Sequence, residues 1–226
     1  WRCIHLRVDR AAVLAHVDDQ GALWPRYAFM ALMSAGIAML GLLQNSVAVI
    51  IGAMLISPLM GPIVAMGMAL ATFDFRALRT ALMTLAVGVA LALLIAVAIV
   101  AISPLQQPTP EILARTEPNL FDLLIAILSG LAGAYATITR KGETIVGVAI
   151  ATALMPPLAV VAFGIAVGNA AIANGAAFLF MTNLLAIALS VTAMARWYGF
   201  AAGDSPHQAA WQATMIVGTF VLLSVP

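Results

Sequence analysis

The stretch NSVAVIIGAMLISPLMGPIVAMGMALA, residues 45–71, constrains the chain more than any other. It carries no charge and exceeds the roughly 20 apolar residues that a helix needs to cross a bilayer. Yet Pro58 and Pro62 stand in its middle. Proline has no backbone N–H, and its ring clashes with the carbonyl four residues earlier. Pro58 therefore takes the helical partner from Met54, and Pro62 takes it from Pro58. In hydrocarbon each unpaired backbone group costs several kcal/mol, so irregular backbone persists there only against protein or a water-filled cavity. A similar run, ETIVGVAIATALMPPLAVVAFGIAVGN, occupies residues 143–169. There Pro156 and Pro157 free the carbonyls of Thr152 and Ala153. Interrupted spans in corresponding halves of a sequence point to a binding site of the transporter kind.

The remaining chain has the composition such spans require. It is 64% hydrophobic and 8% charged, where soluble domains carry about 25% charged residues. The expected spans run from about Trp24 to Leu43, Asn45 to Ala71, Leu78 to Ile102, Leu120 to Thr139, Glu143 to Asn169, and Ala176 to Ala195. A seventh begins near Ala209. Residues 1–23 read as a polar, partly helical cytoplasmic lead-in, the end of a soluble region that precedes the first residue. Residues 103–119 read as an external loop with one helical turn around Glu111–Arg115. Residues 199–226 read as a cytoplasmic loop and the start of the seventh span.

Basic residues set the orientation. With the N-terminus in the cytoplasm, nine of the ten Lys and Arg residues lie inside, and only Arg115 lies outside. Trp24, Tyr27, Phe73, Phe75, Trp197, Tyr198 and Trp211 then form one belt at the inner interface. The expected location is the inner (plasma) membrane. A 99-residue shift pairs Pro58 with Pro157 and gives six identities across residues 47–59. Spans one to three (24–102) and four to six (120–198) thus read as two repeats. Three crossings each force the second repeat to be inverted. The expected fold is all-helical and multi-pass, with a proline-broken second helix in each repeat.

Two antiparallel broken helices would offer free carbonyls to a cation and half-helix N-termini to an anionic group near the midplane. The candidate site residues are Met54, Ser57, Pro58 and Gly61 in the first broken span, and Thr152, Ala153, Pro156 and Pro157 in the second. Asn45 and Asn183 are outer candidates. Asn45 reads as a loop cap or a ligand, and Asn183 as an interhelical hydrogen-bonding residue or a substrate contact. Gly61-xxx-Ala65-xxx-Ala69 and Gly164-xxx-Gly168 place small residues on one face for close packing.

Absences narrow the function. No charged residue or histidine stands near the centre of a span, as a proton relay or voltage sensor requires. The single cysteine, Cys3, excludes an internal disulfide, and no metal-ligand spacing occurs. The sequence contains no nucleophile elbow, zinc-protease helix or P-loop, so no enzyme and no cofactor is expected. A net charge of +1 leaves no basic stripe for nucleic acid.

The run IIGAMLISPLMGPI, residues 50–63, and the later ATALMPPLAV resemble the family described as domain of unknown function 389. These are hydrophobic bacterial and archaeal membrane proteins, and the resemblance covers roughly residues 24–200. It implies a membrane domain preceded by a soluble cytoplasmic region, and it brings no established activity. The residues therefore support a transporter or channel-like permease for a small solute or ion, assembled as a homo-oligomer in the lipid bilayer. The alternative is a non-transporting scaffold or sensor that anchors and oligomerises a cytoplasmic domain. On the permease reading, Pro157→Ala restores helix and impairs function without abolishing insertion.

Overall fold

The computed structural model describes residues 9–200, and among them every regular element is helical. The order is α1 (Arg10–Gly21), α2 (Pro25–Leu43), α3 (Val47–Leu55), α4 (Met60–Thr72), α5 (Phe75–Ile102), α6 (Pro110–Leu113), α7 (Leu120–Thr139), α8 (Glu143–Ala166) and α9 (Ala170–Trp197). Five of these are long and apolar enough to cross a membrane. The pair α3–α4 makes up a sixth length, bent by 57° at its break. The expected spans one to six therefore coincide with helices. The expected seventh span and Trp211 lie outside the described residues, as do Arg2, Cys3, Arg7 and two histidines (His5, His207).

Local chemistry sets the helix ends. The four leading N–H groups of a helix lack intrahelical acceptors, and Asp or Asn side chains supply them. Asp74 accepts from the N–H groups of Arg76 and Ala77 at 2.9 and 3.0 Å to open α5. Asn169 does the same for Ala171 and Ile172 at 3.1 and 3.2 Å to open α9. Asn119 and Asp122 exchange bonds in a capping box at the start of α7. Pro25 sits in the first turn of α2, where its missing N–H costs nothing.

Landmarks recur along the chain at a fixed spacing of 95 residues. The left-handed residues Asn45 and Arg140 follow α2 and α7, and the left-handed Phe73 and Gly168 follow α4 and α8. The caps Asp74 and Asn169 stand in the same relation, and α5 and α9 each have 28 residues. At this spacing Ser57 matches Thr152, Met60 matches Met155, and Pro62 matches Pro157, while Pro58 falls on Ala153. The 99-residue register is thus four residues out, about one helical turn. A slip of one turn keeps apolar faces aligned, which is why matching prolines pointed to it.

Helix contacts are made where side chains are smallest. A Cβ on Gly67 of α4 would lie 2.6 Å from that of Val191 on α9. Beside it, Thr192 Oγ1 donates to the Gly67 carbonyl at 3.0 Å. Gly130 of α7 meets Ser190 of α9 in the same manner, at 2.8 Å. Close backbone approach through small residues is the usual basis of helix packing in lipid. Gly61 and Ala65 do present a packing face, directed at α1: Gly61 abuts the Gln20 carbonyl, and Ala65 lies against Gly21. Gly168 does not, since its φ of +68° makes it the turn before α9. The lead-in thus carries a helix whose buried Val13 and Val17 join the main core.

One expectation about this architecture is overturned. The second proline-bearing span is not broken. α8 continues from Glu143 to Ala166 with Pro156 and Pro157 inside it. The reason is a donor from another helix, described below.

Candidate functional site

The break between α3 and α4 opens into a cavity of about 820 Å³. One wall is the break, residues 55–58, with Met60 and Gly61 at the start of α4. A second is the N-terminal end of α2 (Trp24, Arg26, Tyr27, Met30). The end of α1 (Asp19, Gln20) and Gly147 of α8 complete it. The depth of the break follows from the α2–α3 hairpin. Ser34 Oγ donates to the Ala53 carbonyl at 2.8 Å, and Met30 shares the cavity with Pro58. Met30 is five residues into α2, about 8 Å at 1.5 Å per residue in a helix about 28 Å long. The break therefore lies level with a point about 8 Å in from the N-terminal end of α2, on the α1 side of its middle.

The two helix ends that meet at the break are not equivalent. At the end of α3 the carbonyl of Ala53 accepts from Ser34 and from the Ile56 N–H at 3.3 Å. The Met54 carbonyl, freed by Pro58, accepts from the Ser57 N–H at 3.2 Å. At the start of α4 the cap residue is Leu59, which offers no side-chain acceptor. The Ser57 hydroxyl beside it is buried and has no hydrogen-bond partner in the protein.

Tyr27 is the residue that sequence reasoning missed. It belongs to an interfacial belt by composition, yet it is buried at 7% exposure. Its ring lies over Gly88 of α5, where any Cβ would overlap the phenol oxygen. That hydroxyl also has no partner in the protein. Asp19, part of the expected lead-in, reaches the break only through the return of α1 along α4, whereas Arg26 reaches it on the first turn of α2.

The remaining candidates lie elsewhere. Asn45 is left-handed (φ 53°) in the α2–α3 hairpin, and its Oδ1 accepts from the Glu111 N–H at 3.1 Å. Next to it Thr109 Oγ1 donates to the Leu42 carbonyl at 2.7 Å. Asn45 thus ties the hairpin to the loop carrying α6, at the opposite end of α3 from the break. Thr152 is exposed, and its hydroxyl donates within α8 to the Val148 carbonyl at 2.8 Å. The Ala153 carbonyl, which Pro157 cannot serve, accepts from Asn183 Nδ2 of α9 at 2.9 Å. Asn183 is 3% exposed, and its Oδ1 has no partner in the protein. Met54, Ser57, Pro58 and Gly61 therefore gather at the break, whereas Ala153, Pro156, Pro157 and Asn183 belong to a separate closed junction, and Thr152 lies exposed on α8. Among the described residues no three His, Cys, Asp or Glu side chains are grouped to hold a metal.

The family model described as domain of unknown function matches residues 54–189, from the last turn of α3 into α9. The chain belongs to that family, domain of unknown function 389. A relative from Methanocaldococcus jannaschii, described as an uncharacterized protein, is 30% identical over 170 residues. That alignment covers 75% of this chain and 53% of the relative, so the chain spans about half the length of the curated relative it matches. No solved structure matches. Both the break and the Asn183 junction fall inside the matched part of this family member.

Proposed function

We propose that the protein is a transporter or channel-like permease for a small solute or ion, with its site in the cavity at the α3–α4 break. The observation that carries this reading is an apolar span bent by 57° at a break that lines a cavity of about 820 Å³. A helix designed only to anchor has no reason to leave backbone polar groups there, since each costs several kcal/mol in hydrocarbon.

The 95-residue recurrence supports two three-helix units, α2–α5 and α7–α9, with α3 and α4 counted as one span. Three crossings per unit make the second inverted relative to the first, the arrangement in which many secondary transporters build their sites. The pairing of helices supports it as well. The second helix of each unit packs against the third of the other, α4 against α9 and α8 against α5. On this reading the protein sits in the cell's inner membrane with its N-terminus in the cytoplasm, as the basic residues favour, and assembles as a homo-oligomer.

The closed junction at Ala153 favours the rival reading of a non-transporting scaffold. Thiol accessibility separates the two. Single cysteines at Ser57 and Gly61, in a protein lacking Cys3, are expected to react with a membrane-impermeant reagent in oriented vesicles. Cysteines at Ala153 and Leu154 are expected to be protected. Protection at all four positions would refute the permease and leave the scaffold.

A further inference from the structure

We infer that the loop between α5 and α7, residues 103–119, is a latch that keeps the break closed on the side away from α1. The inference rests on the permease reading, in which a site is reached from one side at a time. The cavity is walled by the end of α1, the N-terminal end of α2 and the break, so it reaches the break from the α1 side. From the other side the route runs along α3, which spans about 13 Å between the hairpin turn at Asn45 and the break. That route is filled, because Ile50, Ala53 and Met54 of α3 are buried.

The loop is fastened at both of its ends. At the α2–α3 hairpin, Thr109 Oγ1 donates to the Leu42 carbonyl at 2.7 Å and the Glu111 N–H donates to Asn45 Oδ1 at 3.1 Å. At α9, the Thr116 carbonyl lies so close to Gly175 that any Cβ there would overlap it. Between these points Ile112 is fully buried and joins the main core. Glu111 and Arg115, one helical turn apart, pair at 2.7 Å and brace the segment. The loop thus ties the hairpin turn of the first unit to the third helix of the second. The hairpin is free to move once that tie is undone. Its α3 packs chiefly against α2 and α8 and leaves Val47, Ile51 and Leu55 exposed. The Ser34–Ala53 bond keeps α3 against α2, so the two move together. At the far end of α3 the 57° break takes up the motion, as hinges made of a few residues at element ends do. Lifting the loop releases the hairpin turn and admits solvent to the break from the side away from α1.

The test is thiol labelling of the full-length protein lacking Cys3, in oriented vesicles. The cysteine is placed at Met54, and an impermeant reagent is added to each face in turn. Thr109→Val removes one fastening, and Asn45→Gly removes the other while keeping a residue suited to the left-handed turn. Each is expected to raise labelling from the face away from α1 about fivefold, the scale of one hydrogen bond, and the pair about twentyfold. Thr109→Ser keeps the hydroxyl and is expected to label as the parent does. So is Leu105→Ala, at an exposed loop residue outside the latch. A cysteine at Ile187, fully buried in α9, is expected to stay protected in every variant, which separates opening of the hairpin from general loosening. The inference is overturned by unchanged labelling at position 54 in the double variant, by equal gains at position 187, or by gains confined to the α1 face. Failure of Thr109→Ser to keep the parent rate overturns it as well. The permease reading is judged separately by cysteines at Ser57 and Gly61. Their protection from both faces refutes it, whereas a gain at position 54 that depends on Thr109 and Asn45 keeps the latch.

Discussion

Removing Asn183 and Pro157 singly and together tests why α8 stays whole. Pro157 deprives the Ala153 carbonyl of its helical donor, and Asn183 Nδ2 replaces it from α9 at 2.9 Å. Asn183→Leu keeps the volume but orphans a buried carbonyl, a cost of about 1–3 kcal/mol. It also deletes Oδ1, which has no partner in the protein, and that gain offsets part of the loss. The net destabilisation is expected at about 1 kcal/mol, within the range found for interhelical hydrogen bonds in membranes. Pro157→Ala gives residue 157 an N–H that can serve Ala153 directly. In that background Asn183→Leu should cost nearly nothing, so the two changes should couple by about 1 kcal/mol. Equilibrium unfolding of the four proteins in mixed micelles measures this cycle. Strict additivity would refute the account, because it would mean that Asn183 does not stand in for the missing donor. Since α8 is already continuous, Pro157→Ala is no longer expected to impair function by restoring helix.

Two further changes probe the packing. Gly67→Ala inserts a Cβ 2.6 Å from Val191 Cβ and 2.8 Å from the Ala188 carbonyl. It should force α4 and α9 apart and destabilise by about 1–3 kcal/mol, and unchanged unfolding would refute the close crossing. Asp18 of α1 has its carboxyl pKa raised above the ordinary 3.8, first by partial burial and then by the nearby Asp74 carboxylate. A raised acid is favoured in its protonated form, so this contribution to α1 docking is present below the unfolded value of 3.8 and is lost as pH rises through the folded one. Asp18→Asn should therefore hold α1 more firmly at neutral pH and flatten that dependence. Hydrogen exchange in α1 at pH 4 and pH 7 reads both effects, and equal slopes in parent and variant would contradict the assignment.

What the sequence by itself determined is local. Apolar length placed the six spans, because hydrocarbon thickness sets how many residues a crossing needs. The helical turn expected near Glu111 appeared as α6 (Pro110–Leu113), whereas the caps Asp74, Asn119 and Asn169 emerged only with the structure. Whether a proline breaks its helix was not legible, since the answer depends on a donor from a distant part of the chain. Pro157 is tolerated because Asn183, thirty residues beyond Ala153, packs beside it. Matched against it at 95 residues is Gly88, which offers no side chain at all and leaves its place to the Tyr27 ring. The α3–α4 span therefore opens where α8 closes. The cavity depends equally on the return of α1 along α4, which carries Asp19 and Gln20 to the break through the contact of Gly61 with the Gln20 carbonyl. Such contacts join residues that are far apart along the chain, and only the packing of the helices brings them within bonding distance.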